Sequence, residues 1–154
     1  MKKIFFICCL VTMIGCKSKK AADKEPEPIK TTTINIAEVE AAQKSKAYDL
    51  GKRILMTCNT SKFKPFNSTE ATPSVIQNTT QERLTKTCLK FRLKYGDFKD
   101  IQLVEVHRNK ADKTTIYRYK ALYEKKIANK ELRVTMNDDN QVSAIKSLDW
   151  TDKF

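Results

Sequence analysis

Residues 116–123, Ile116-Tyr117-Arg118-Tyr119-Lys120-Ala121-Leu122-Tyr123, decide the fold class. Side chains alternate across a strand, so Tyr117, Tyr119, Ala121 and Tyr123 share one face, and Ile116, Arg118, Lys120 and Leu122 share the other. Aromatic and β-branched residues suit such a pleated, half-buried surface. The segment therefore predicts a strand, and the same period recurs on both sides of it. Upstream, Ile101 and Leu103 alternate with polar neighbours before Val104 and Val106 take the opposite parity, which predicts a bulge. Downstream, Leu132, Val134 and Met136 alternate with Arg133 and Thr135. The turn-forming Asn137-Asp138-Asp139-Asn140 follows. A fourth strand is expected from about Gln141 to Trp150, anchored by Val142 and Ile145. Short connections make the four strands an antiparallel meander.

Upstream of Gly96 the period is helical. Leu84, Cys88, Phe91 and Tyr95 fall three or four residues apart, Leu89 and Leu93 widen the stripe, and Gly96 stands where a left-handed C-terminal cap belongs. Ile36, Val39, Gln43, Ala47, Leu50, Ile54 and Cys58 form a second such stripe, which predicts a long first helix starting at Ile36. Gly51 inside it costs about 1 kcal/mol relative to alanine, so another element is expected to approach closely there. Residues 59–80, with Phe63, Pro65, Phe66 and Pro73, read as a loop or short helical turn. Helices first and four strands after give an α+β fold.

The N-terminus carries an address. Lys2 and Lys3 precede an uncharged, mostly apolar run over residues 4–14, the n- and h-regions of a secretory signal and well short of the roughly 20 residues that span a bilayer. Met13-Ile14-Gly15-Cys16 resembles the lipobox of bacterial lipoproteins. That resemblance implies removal of residues 1–15 and lipidation of Cys16, which becomes the new N-terminus and anchors the chain in a bacterial cell envelope. An ordinary signal peptidase prefers small residues before its cut, which Met13 does not offer. Residues 17–33 are polar and charged with Pro26 and Pro28, too poor in apolar surface to fold, so residues 16–35 are expected to be the lipidated cysteine and a flexible tether. The folded domain is expected over residues 36–154. Lys17 is not the aspartate that resembles an inner-membrane retention signal, and no acidic run follows Cys16. The expected location is the outer membrane, facing the periplasm.

The chain of 154 residues has a net charge of +12, which falls to +10 without Lys2 and Lys3. Lysines 17, 19, 20, 24 and 30 are balanced by Asp23, Glu25, Glu27 and Glu38, leaving about +9 on the rest. Such a field attracts anions and resists self-association. Nucleic acid does not fit an exported protein, whereas anionic lipid headgroups, lipopolysaccharide and acidic glycans do. The plainer reading is a lysine-rich surface that serves solubility. Arg118, Lys120 and Arg133 form a candidate basic sheet face.

The long N-terminal helix, the aromatic loop, Lys94-Tyr95-Gly96-Asp97-Phe98-Lys99, and the strands Ile116-Tyr117-Arg118-Tyr119 and Leu132-Arg133-Val134-Thr135-Met136-Asn137 resemble the nuclear-transport-factor-2-like superfamily over roughly residues 36–150. The resemblance implies a cystatin-like α+β cone, its sheet curled round a helix and its mouth open to a small apolar ligand. A minority of such domains are isomerases or dehydratases, so the fold does not transfer an activity.

The catalytic inventory is short. His107 is the only histidine and no CxxC or HExxH spacing occurs, so neither a metal nor a cofactor is expected. Beside Arg108-Asn109-Lys110, His107 reads as an exposed turn residue. Glycines stand only at 15, 51 and 96, so there is no glycine-rich phosphate loop. Asp138-Asp139-Asn140 lacks the spacing of a calcium loop. An isomerase-like site needs a carboxylate base facing a phenol. Asp100, Glu105 and Asp149 read as solvated charges, and no catalytic residue is assigned. The tyrosine face is either core or pocket lining. A ligand pocket, if formed, is expected there, lined by Phe91, Tyr95, Tyr117, Tyr119, Tyr123, Met136 and Trp150.

Cys8 and Cys9 leave with the signal, and Cys58 and Cys88 remain as a pair in an oxidising compartment. A disulfide would tie the two long helices together, and two separate buried thiols are the alternative. The expected function is a non-catalytic envelope module for a small apolar ligand, an anionic polymer or a protein partner. A small isomerase- or lyase-like enzyme and an inhibitor or immunity-type protein stay open. The oligomeric state is not fixed by the sequence.

Overall fold

Strand β3 (Thr114–Tyr123) lies at the centre of an open, five-stranded antiparallel sheet, in a computed structural model that describes residues 31–154. The expected signal, the lipidated Cys16 and the tether as far as Lys30 lie outside the described residues. The strands are β1 (Thr31–Ile34), β2 (Phe98–Asn109), β3, β4 (Lys130–Met136) and β5 (Val142–Asp149), each paired with the next. Between β1 and β2 the chain forms α1 (Ala41–Thr60), the short α2 (Pro73–Asn78) and α3 (Gln81–Tyr95).

Two expectations change here. The sheet has five strands, not four, because Thr31–Ile34, read as tether, adds an edge strand in which Thr31 to Ile34 pair with Asn109 to Val106. Three β-branched threonines suit an extended edge whose partner supplies the hydrogen-bond row, even without apolar alternation. The first helix starts at Ala41 rather than Ile36, since Ile36–Glu38 makes a separate 3-10 turn capped by Asn35, whose side chain accepts from the Ala37 amide. The expected α+β class, helices against an antiparallel sheet, is present.

The core forms where α1 crosses the sheet. Ala47, Leu50 and Ile54 of α1 are buried against Ile101, Tyr117, Tyr119, Leu132, Val134 and Val142. Gly51 lies on that line: a Cβ there would meet Leu132 Cδ2 and Val134 Cγ2 at 3.0 Å, the close approach the glycine predicted. The β2 register shifts between Leu103 and Glu105, so Val104 is the bulge residue, and Ile101, Leu103 and Val106 reach one face although their parity changes. Gly96 ends α3 at φ +77°, where a side chain would also strike Glu124. On α3, Leu84, Cys88, Phe91 and Tyr95 turn inward, but Leu89 and Leu93 do not widen the buried stripe; they are 64% and 73% exposed. The turn at Asp138-Asp139-Asn140 is a hairpin connection, with Arg108 pairing to Asp138 at 2.7 Å.

Cys58 of α1 and Cys88 of α3 are joined in a disulfide, with Cα atoms 4.6 Å apart. The sheet, both long helices, this cross-link and the core residues described all lie within residues 31–154.

Candidate functional site

A cleft of about 260 Å³ opens between the helices and the β4–β5 end of the sheet. Its apolar walls come from Ile54 and Leu55 of α1, Leu84 and Phe91 of α3, Leu132 of β4 and Ile145 of β5. The Cys58–Cys88 bridge lines it and holds α1 and α3 in register. Asn78, Thr79, Arg83, Thr87 and Ser147 make a polar rim. Arg83 is positioned twice: its amide donates to the Thr80 side chain that caps α3, and its Nη1 donates to Asn78 Oδ1 at 2.5 Å. An apolar trough with a few polar groups at one edge is the make-up of a small-molecule site.

Of the residues expected to line a pocket, Phe91 alone reaches this cleft. Tyr123 packs on Tyr95 and on Phe98, and Phe91 packs on Tyr95 and Tyr123, at ring centroids 5.6 to 6.4 Å apart, as core. Tyr117, Tyr119 and Met136 are fully buried beneath α1. Burial pushes the Tyr117 and Tyr123 phenols up to about 12, and Tyr119 higher still, so all three stay protonated near neutrality. Tyr117 donates to Gln43 Oε1 at 2.8 Å, whereas the Tyr119 and Tyr123 hydroxyls have no hydrogen-bond partner among the described residues. Trp150 is not part of this group at all; it lies on the opposite sheet face, over Arg118.

That opposite face overturns three readings. Arg118, expected as exposed basic surface, is 0% exposed, as is Glu131 beside it. Arg118 Nη2 approaches Glu131 Oε2 at 2.6 Å, its Nη1 lies 3.3 Å from Glu105 Oε1, and it also donates to the Thr151 carbonyl. Arg133 stands directly opposite Arg118 in the β3–β4 ladder, a repulsive pairing that Glu131 relieves by accepting from both. Lys120 and Arg133 are half-buried under aromatic rings, with Lys120 below Trp150 and Arg133 below Phe154 at 4.1 Å. His107 is likewise buried rather than an exposed turn residue. Its Nε2 lies 2.7 Å from Glu105 Oε2, its Nδ1 3.2 Å from Thr33 Oγ1, and its ring stacks on Phe154 at 3.7 Å.

Glu105 is thus a partner in a network and not a solvated charge. Burial works to raise its carboxyl, but the bond from His107 and the charge of Arg118 together hold it below the ordinary glutamate value. Asp100 is also engaged, accepting from Tyr48 at 2.7 Å and paired with Lys52 at 3.1 Å. Asp149 keeps its expected exposure, in an ion pair with Lys130. The two carboxylates Glu105 and Glu131 balance the two guanidinium groups, and Phe154 covers the imidazole, so the cluster ties neighbouring strands together. Its sequence signal was the run of charged residues at one parity on three neighbouring strands, Glu105 and His107, Arg118, Glu131 and Arg133.

Among the described residues, no group of three or more His, Cys, Asp and Glu side chains is placed to hold a metal ion. No helix among them is long and apolar enough to cross a membrane. No family model, curated protein or solved structure matches this chain.

Proposed function

We propose that this chain is a non-catalytic binding module of the bacterial envelope, anchored by lipid at Cys16 and facing the periplasm from the outer membrane. The observation that carries the binding role is the disulfide-braced cleft between α1, α3 and β4–β5, apolar inside and edged by Arg83, Asn78 and Thr87. Such a lining suits a small ligand with an apolar body and an anionic or polar head, the head meeting Arg83. Of the expected lining this cleft holds Phe91, while Tyr119 borders a separate, more open hollow of about 390 Å³ with Ile36, Tyr48 and Leu103. The lipobox-like Met13-Ile14-Gly15-Cys16 supports the anchor. A nuclear-transport-factor-2-like cone is the finer fold reading, supported by the β2 bulge, which bends a sheet, and by α1 lying along its inner face.

Native mass spectrometry of residues 17–154 purified from a periplasm tests the binding role. A small molecule retained by this chain and lost when Ser147→Trp and Thr87→Trp fill the cleft is the expected result. Retention unchanged by those variants removes the cleft from the reading. Radiolabelled palmitate incorporated by the full chain and not by Cys16→Ser tests the anchor separately.

A further inference from the structure

We propose that the outer face of α3, with the β3–β4 turn, is a membrane-contact surface that seats on a bilayer rich in anionic headgroups. Leu89, Leu93 and Ile127 are 64%, 73% and 72% exposed, the highest values among the large apolar side chains described. Leu89 and Leu93 stand one turn apart on α3, and Ile127 stands in the β3–β4 turn beside the C-terminal end of that helix. Lys125 donates from its amide to the Tyr95 carbonyl at 3.0 Å and from Nζ to the Leu93 carbonyl at 3.2 Å, which ties the turn carrying Ile127 to the last turn of α3.

Lysines surround these three side chains. Lys90, Lys94, Lys125 and Lys126 are exposed, and none pairs with a carboxylate among the described residues. Of the acidic groups nearby, Glu82 pairs with Lys86 at 2.9 Å and Asp97 with Arg92 at 3.1 Å, while the exposed Glu124 accepts from the Asp97 amide at 3.4 Å, so the lysines outnumber the one carboxylate without a cationic partner there. Exposed apolar residues set among free lysines are the pattern of an interfacial helix, whose apolar side chains enter the headgroup boundary while the cations meet lipid phosphates. Lysine stems reach upward from such a plane with little loss of hydration.

Size and charge favour a bilayer over a protein. Three separated side chains fall well short of the roughly 800 Å² per partner that a stable protein interface needs. A second copy would bring the same lysines, on a chain of net charge +12, against its own kind. A bilayer needs no complementary shape, and a chain already tethered to it needs only a weak contact of this type to seat one face on the surface. The inference rests on the envelope reading only for the membrane it meets.

Vesicle co-sedimentation of residues 17–154, which lack Cys16, tests the surface without the anchor. Vesicles of phosphatidylcholine alone are compared with phosphatidylcholine and phosphatidylglycerol in equal parts. Binding to the anionic vesicles, weakened by about tenfold or more in the Leu89→Gln, Leu93→Gln, Ile127→Gln variant and released near ~1 M salt, is expected. A second variant, Lys90→Glu, Lys94→Glu, Lys126→Glu, is expected to lose binding as fully. No binding, equal binding to both vesicle types, or binding unchanged in both variants overturns the proposal. Palmitate labelling at Cys16 reads the anchor independently, so the failure of one reading is distinguishable from the failure of the other.

Discussion

The hydroxyls of Tyr117 and Tyr119 sit two residues apart on one strand face and have opposite fates. Tyr117 bonds to Gln43, while Tyr119 is buried with no partner among the described residues. Removing a buried hydroxyl that makes no bond recovers its desolvation cost, whereas removing one that bonds strands the partner. Tyr119→Phe is therefore expected to be neutral or to stabilise by up to about 1 kcal/mol, and Tyr117→Phe to destabilise by about 1 kcal/mol. Urea unfolding of the two variants reads the difference; equal losses in both would mean that Tyr119 has a bonding partner after all. The strand pattern made both tyrosines legible as inward residues. It held nothing about their hydroxyls, because bonding depended on which side chain α1 brought overhead, Gln43 in one case and the ring of Tyr48, which makes no bond to the hydroxyl, in the other.

Helix α3 owes its position to the bridge from Cys88 to Cys58. The bridge closes a loop of 30 residues, and in the chain-entropy view that constrains the unfolded chain by roughly 3–4 kcal/mol. Reduction, or the paired Cys58→Ala and Cys88→Ala variant, is expected to lower stability by about that much and to loosen the cleft the bridge lines. Denaturation with and without reductant measures it; coincident curves would mean the bond is not formed in solution. The two long helices and four of the strands were legible because their apolar periods are strong. β1 was not, since Thr31-Thr32-Thr33 carries no alternation and pairs only because β2 runs far enough to accept it. Leu89 and Leu93 misled for a related reason. They keep helical spacing with each other, but they project to the side of α3 away from Leu84 and Phe91, and only the packed helix shows which side meets the sheet.

Across the molecule, the outer-face network links β1 through Thr33, β2 through Glu105 and His107, β3 through Arg118, β4 through Glu131 and Arg133, and the C-terminal segment through Thr151 and Phe154. Sequence reading placed Arg118 and Arg133 on one sheet face and took that face as open, with His107 in a turn and Glu105 in solvent, because no periodicity announces that residues 150–154 fold back over it. Breaking one partner of a buried ion pair costs far more than replacing both. Glu131→Gln, which leaves Arg118 and Arg133 opposed without their shared counter-ion, is expected to cost about 3–5 kcal/mol, while Arg118→Met with Glu131→Leu regains most of it. Acidity attacks the same structure. Glu105 and Glu70, the latter paired to Arg53 at 2.7 Å, both titrate below the ordinary glutamate value of 4.5 in the folded chain. A carboxylate depressed on folding contributes stability above its unfolded value, and that contribution is lost as pH falls through the folded one. Urea midpoints are therefore expected to be level above pH 4.5 and to fall steadily below it, with a shallower fall in Glu105→Gln. The same slope in that variant would show that the stability lost in acid comes from carboxylates outside the network, Glu70 first among them.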